Sequence, residues 1–109
     1  MSVDRKAAAA AWKEKKVAAG VYAFRAPDGV VWVGATPTLD AAENRLRFTL
    51  RTGSCRVPAL ARTWRAAGGE GFVFEVLETL DPELGAMTRA RLLKERLAHW
   101  RGDLGAEPL

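Results

Sequence analysis

The chain has 109 residues, enough for one ordinary domain, and 49% of them are apolar, which excludes disorder as the default. Cys55 is its single cysteine, which excludes an internal disulfide framework and a cysteine-built zinc site, and no apolar run approaches the roughly 20 residues of a membrane span. The formal charge of +4 is modest, but its distribution is not: six arginines (Arg45, Arg47, Arg51, Arg56, Arg62, Arg65) occupy 45–65 without an acid, and Glu70, Glu75, Glu78, Asp81 and Glu83 then reverse the sign.

A one-sign arginine block suits phosphate, because the guanidinium fork matches phosphate oxygens. A solvated basic helix face is the plain alternative.

Residues 2–18 read as a helix. Ser2 or Asp4 can cap it, the alanine run has high propensity, and Gly20 lies just past its end. The Ala7–Ala11 run is too short, and too charged on its far side, for a secretory signal, so the chain is expected to be cytoplasmic. Residues 20–34 read as a β-hairpin. Val21 to Phe24 and Val30 to Val33 are its strands, and Ala26-Pro27-Asp28-Gly29 supplies the turn chemistry.

A helix then opens near Thr36–Asp40. Asp40 with Glu43 has the form of a capping box, and Leu39, Leu46 and Leu50 recur near helical spacing. A short helix follows from Pro58 to Ala67. After Gly68-Gly69-Glu70-Gly71, the run Phe72 to Leu77 is a third strand by composition. A last helix runs from Pro82 to Trp100 or Arg101, and residues 102–109 are expected to be a loose tail. The order α-β-β-α-α-β-α predicts an α+β fold: a three-stranded antiparallel sheet flanked by helices, forming one domain over 1–109 with its core at 19–101.

On these elements lies an ordered set of residues. Gly20-Val21-Tyr22 stands on the first strand and Trp32-Val33-Gly34 on the second, with ten residues from Tyr22 to Trp32. Arg45 lies in the helix after the hairpin. Leu60, Trp64, Gly69 and Phe72 form a Leu–aromatic–Gly–Phe series, and Leu92-Leu93-Lys94-Glu95 falls in the last helix. Over 19–101 the set resembles the GIY-YIG nuclease superfamily, and the Leu-to-Phe series resembles its homing-endonuclease-like branch. There are departures. Trp32 replaces the second tyrosine, and Thr49 stands where that branch often has histidine. The Gly34-to-Arg45 spacing is longer than usual, and the only asparagine, Asn44, lies in the first helix after the hairpin.

The resemblance implies roles. Tyr22 would help deprotonate the attacking water, its phenol lowered from about 10 by the metal and nearby arginines. Trp32 would donate its N–H to phosphate or wall the pocket; a place in the structural core is the equal alternative. Arg45 would stabilise the scissile phosphate. Arg47, Arg51, Arg56 and Arg62 would track the DNA backbone, and Gly34 would permit its close approach. Glu95 would ligate Mg²⁺ or Mn²⁺, hard ions that need only one or two protein carboxylates. The residues alone give Glu95 another setting. It lies off the Leu93–Leu97–Trp100 face, beside Arg91 and His99 at i−4 and i+4, as in an exposed ion-pair face. The expected function is a metal-dependent endonuclease acting on single- or double-stranded DNA with little sequence specificity, without membrane or small-molecule cofactor. The alternative is a catalytically impaired nucleic-acid-binding module of the same fold.

Overall fold

A computed structural model of the chain describes residues 18–109. All but Ala18 of the helix expected over 2–18 lies outside them.

The hairpin forms where local chemistry places it. Strand β1 (Gly20–Arg25) pairs antiparallel with β2 (Val31–Thr36), setting Tyr22 opposite Gly34 and Phe24 opposite Trp32. The Asp28 carboxylate accepts the Val30 N–H at 3.1 Å and Ala26 N–H donates to the Val30 carbonyl at 2.9 Å, closing the turn. Helix α1 (Leu39–Thr52) follows, with Thr38 rather than Asp40 at its N-cap. Asp40 therefore sits in the first turn, where it complements the helix dipole instead of forming a capping box. Helix α2 (Pro58–Ala66) begins on proline, whose missing N–H costs nothing in the first turn.

Strand β3 (Val73–Thr79) pairs antiparallel with the other edge of β1, with an irregularity opposite Val21–Tyr22. Helix α3 (Ala86–Leu104) starts later than Pro82 because Asp81 organises a turn first: its carboxylate accepts the Glu83 N–H at 2.9 Å. It also runs past Arg101. The segment expected to be a loose tail then adds β4 (Glu107–Pro108), parallel to β2. The fold is α+β as expected, but the sheet is mixed and four-stranded, in the order β3-β1-β2-β4, rather than three-stranded and antiparallel. Among the described residues, no helix is long and apolar enough to cross a membrane.

Strand alternation divides the sheet into two faces. Phe24 and Trp32 join Ala26, Leu50, Leu60 and Phe72 in a cluster under α1 and α2. Val21, Ala23 and Val33 face the other way, against Leu97, Trp100 and Leu104 of α3. Each fully buried large side chain contributes about 1.5–3 kcal/mol. A polar clamp also holds α3: Arg96 Nε and Trp100 Nε1 donate to Glu78 Oε1 at 2.7 and 2.8 Å. Burial pushes the Glu78 carboxyl up, but the hydrogen bonds from Trp100 and Arg96, with the Arg96 charge, outweigh it and hold the group below its ordinary range.

Candidate functional site

Tyr22 leaves the middle of β1 on the α1–α2 face. One side of its ring stacks on Phe74, with centroids 5.0 Å apart. Across the ladder stands Gly34. A Cβ there would lie 2.9 Å from the Tyr22 hydroxyl oxygen, closer than such contacts permit, and a tight 3.2 Å from Leu109 Cβ. Glycine thus leaves space for the phenol to lie across β2. The close approach at Gly34 is made by the Tyr22 ring.

The phenol opens into a cavity of about 180 Å³ lined by Tyr22, Ala42, Arg45, Leu46 and Thr49. Arg45 is exposed but oriented: its Nη2 donates to Thr38 Oγ1 at 2.8 Å and, at longer range, to Thr36 Oγ1 at 3.5 Å. Thr36 is buried and accepts the Thr38 N–H at 3.0 Å. The two threonines at the strand-to-helix corner therefore fix one edge of the guanidinium, which has five N–H groups in all. This also explains why Thr38 makes no side-chain cap on α1.

A second cation comes from the far helix. Arg101 Nε donates to the Val33 carbonyl at 3.1 Å and reaches the β2 edge beside Leu109. Burial raises the Tyr22 pKa above its ordinary value, while Arg45 and Arg101 pull it down; burial prevails. The two guanidiniums by themselves therefore leave Tyr22 a neutral O–H at neutral pH.

Other expected site residues fall elsewhere. Trp32 is only 2% exposed and packs in the core, its Nε1 buried without a hydrogen-bond partner. It neither walls the cavity nor reaches phosphate. Arg47 is already occupied: it pairs with Glu43 at 2.9 Å, donates to the Phe72 carbonyl at 3.1 Å and lies over the Phe24 ring at 5.2 Å. It braces α1 against β3 rather than tracking a backbone. Arg51, Arg56 and Arg62 are exposed and pair with no acid among the described residues.

Glu95 is the largest displacement from expectation. Its side chain is 59% exposed and it pairs with Arg91, 63% exposed, at 3.8 Å. Leu97 packs on the sheet, and two residues of helix turn Glu95 to the outside. It does not line the cavity of Tyr22 and Arg45, and no carboxylate among the described residues does. Among the described residues, no group of three or more metal-binding side chains gathers anywhere.

The residues that sequence reasoning overlooked are Arg101, Thr36 and Thr38. The Thr-Pro-Thr step after the hairpin is a faint signal for the threonines. Arg101 has none, because its place depends on α3 running past it and on β4 closing the edge.

No family model matches the chain, and no curated protein matches it in sequence. Similar solved structures include the catalytic domain of homing endonuclease I-TevI, at TM-score 0.68 and 22% identity over 84% of this chain and 97% of that one. They also include a glutamate-to-alanine mutant of the catalytic domain of intron endonuclease I-TevI, at TM-score 0.68 and 22% identity over 81% of this chain and 84% of that one. The likeness is one of fold.

Proposed function

We propose that this chain, with the fold of the I-TevI catalytic domain, is a GIY-YIG-type endonuclease that hydrolyses DNA phosphodiester bonds with little sequence specificity. The observation that carries the proposal is the meeting of the Tyr22 phenol and the Arg45 guanidinium at one small cavity, with the Arg101 charge close enough to act on the phenol.

Phosphodiester cleavage requires an oriented nucleophile and compensation of charge on the phosphate oxygens. Arg45 is suited to the second task. Thr38 holds one edge of its guanidinium, so the fork is oriented before an anion arrives. Arg101 adds positive potential at the phenol. Tyr22, neutral at rest, donates its O–H to a phosphate oxygen or to the attacking water and orients it. An anion bound beside it strengthens the hold on that proton. Low specificity follows from a cation set that addresses phosphate rather than base edges.

The resemblance implies Mg²⁺ or Mn²⁺ as cofactor. The described residues do not fit such an ion at this cavity: it has no carboxylate lining, and Glu95 is turned away toward Arg91. No step is therefore assigned to a metal.

Two observations favour a second function, a nucleic-acid-binding module that has lost the chemistry: Trp32 is core where the resemblance expects a second tyrosine, and Glu95 is remote. The test is incubation of single- and double-stranded DNA with the chain in Mg²⁺, in Mn²⁺ and in chelator. Cutting that Tyr22→Phe removes while DNA binding persists supports the endonuclease. Binding without cutting in every condition selects the module. A chain that does neither contradicts both.

A further inference from the structure

The larger cavity on the α1–α2 face lies apart from Tyr22. It measures about 520 Å³ and opens between the end of α1 and α2, lined by Leu50, Arg51, Cys55, Trp64, Arg65 and Gly69 among others. Its chemistry is distinctive. Trp64 is half-buried and held from behind by Phe72, at 5.1 Å between centroids, and Phe24, at 6.4 Å. Gly69 presses on the same ring: a Cβ there would stand 3.1 Å from Trp64 Cζ2, and the Gly69 N–H donates to the Trp64 carbonyl at 2.9 Å. The indole is thus held in place, and half-buried Trp64 still lines the cleft. Arg51 and Arg65 both line the opening, and neither pairs with an acid among the described residues.

We infer that this cleft binds one unpaired nucleotide of a DNA strand, its base stacked on Trp64 and its flanking phosphates held by Arg51 and Arg65. A fixed aromatic surface with cations at its rim matches a ligand that is flat, aromatic and anionic, and base–aromatic stacking tolerates any sequence. A volume of this size holds a drug-sized group and not a duplex. A paired base keeps its faces in the helical stack, so only a single-stranded or flipped-out base can enter. Position agrees. Arg45 and Arg51 lie on one helix about 9 Å apart along its axis, and Thr49 lines the first cavity while the adjoining Leu50 lines the second. A strand with its phosphate at Arg45 can therefore place a neighbouring nucleotide on Trp64. The inference rests on the proposed nucleic-acid function and adds to it a preference for unpaired DNA.

Two binding measurements test it. The first is fluorescence anisotropy with a labelled single-stranded oligonucleotide, its duplex and the mononucleotide dAMP as competitor. Single-stranded DNA should bind at least about tenfold more tightly than duplex. Arg51→Ala combined with Arg65→Ala, surface changes that leave the fold alone, should remove that preference. Trp64→Leu, which keeps apolar bulk against Phe24 and Phe72, should weaken single-strand binding about tenfold, the low-to-middle range for one lost base stack. Competition by dAMP only at far higher concentration marks a strand rather than a free nucleotide as the ligand; dAMP binding as tightly as the oligonucleotide overturns the strand assignment. The second is alkylation of Cys55, free and half-buried in the cleft: single-stranded DNA should slow it and duplex should not. Equal protection by both, or wild-type affinity in the double arginine variant, overturns the cleft while leaving the Tyr22–Arg45 site standing. If the wild-type chain binds neither single-stranded nor duplex DNA, the functional proposal fails with it.

Discussion

The two faces of the sheet use charge in opposite ways. Against α3, the two glutamates are paired: Glu78 with Arg96, beside the Trp100 N–H, and Glu95 with Arg91, while among the described residues Arg101 meets only carbonyls. Against α1 and α2, Arg45, Arg51 and Arg65 border two cavities with no ion pair among the described residues. Paired charges fasten an element in place. Uncompensated cations of one sign repel each other, and their clustering becomes favourable when an anion arrives. Arg47 marks the boundary, since it lies on α1 yet is spent on Glu43 and the Phe72 carbonyl. A positive charge on this face is therefore not by itself a phosphate contact; the missing partner is the more informative feature.

The sharpest way to break the contrast is at Arg45. Arg45→Ala should lower DNA cleavage by about two to three orders of magnitude, the usual cost of one transition-state charge contact, and shift stability by no more than about 0.5 kcal/mol. Cleavage rates with a thermal melt check both. Tyr22→Phe should cost about a hundredfold or more in rate and leave the melt unchanged, since no hydrogen bond of the hydroxyl supports the fold among the described residues. The wild-type pH profile distinguishes its roles. A neutral phenol whose pKa is raised should keep the rate level through neutral and mildly alkaline pH and lose it only above the ordinary phenol range. A tenfold rise per pH unit across that interval would assign it the base role instead.

On the α3 face the effects should be on stability. Glu78→Gln should cost about 1.5–3 kcal/mol, the range for hydrogen bonds to a charged group, as read by urea unfolding. The Glu78 carboxyl is depressed in the folded chain, so its contribution is full above the unfolded value of 4.5 and fades as pH falls through the lower folded one. The stability gap between wild type and variant should therefore close in acid. The smallest effect is expected at Glu95. With both partners more than half exposed, Glu95→Gln should change stability by a few tenths of a kcal/mol at most and leave cutting at the wild-type rate.

Much of the fold is legible because its signals are local. Turn residues and alternation announce the hairpin, and proline announces α2. β4 is not legible: Glu107-Pro108 pairs because an edge of β2 is available, and that edge is set by tertiary structure. The site divides the same way. Tyr22 and Arg45 share a cavity where their spacing places them on facing elements. Trp32 shares the Tyr22 face but stands opposite Phe24, deeper in the sheet, and spacing carries no information on depth. The Glu43–Arg47 spacing of four was a readable sign that Arg47 had a partner, and the offset of Glu95 from the apolar face was a readable sign that it faces out. Arg101 was not readable, because a distant strand determines which carbonyls and which phenol it meets.

If DNA phosphate is taken on the α1–α2 face because Arg45, Arg51 and Arg65 have no acidic partner among the described residues, reversing one charge on each face should have unequal effects. Arg45→Glu and Arg91→Glu change the net charge by the same amount on exposed helical residues. Measured against the same single-stranded oligonucleotide at fixed salt, Arg45→Glu should lose most of the affinity and flatten its dependence on salt, while Arg91→Glu stays near wild type. Equal losses in the two variants would mean that bulk charge alone drives binding and would contradict the account.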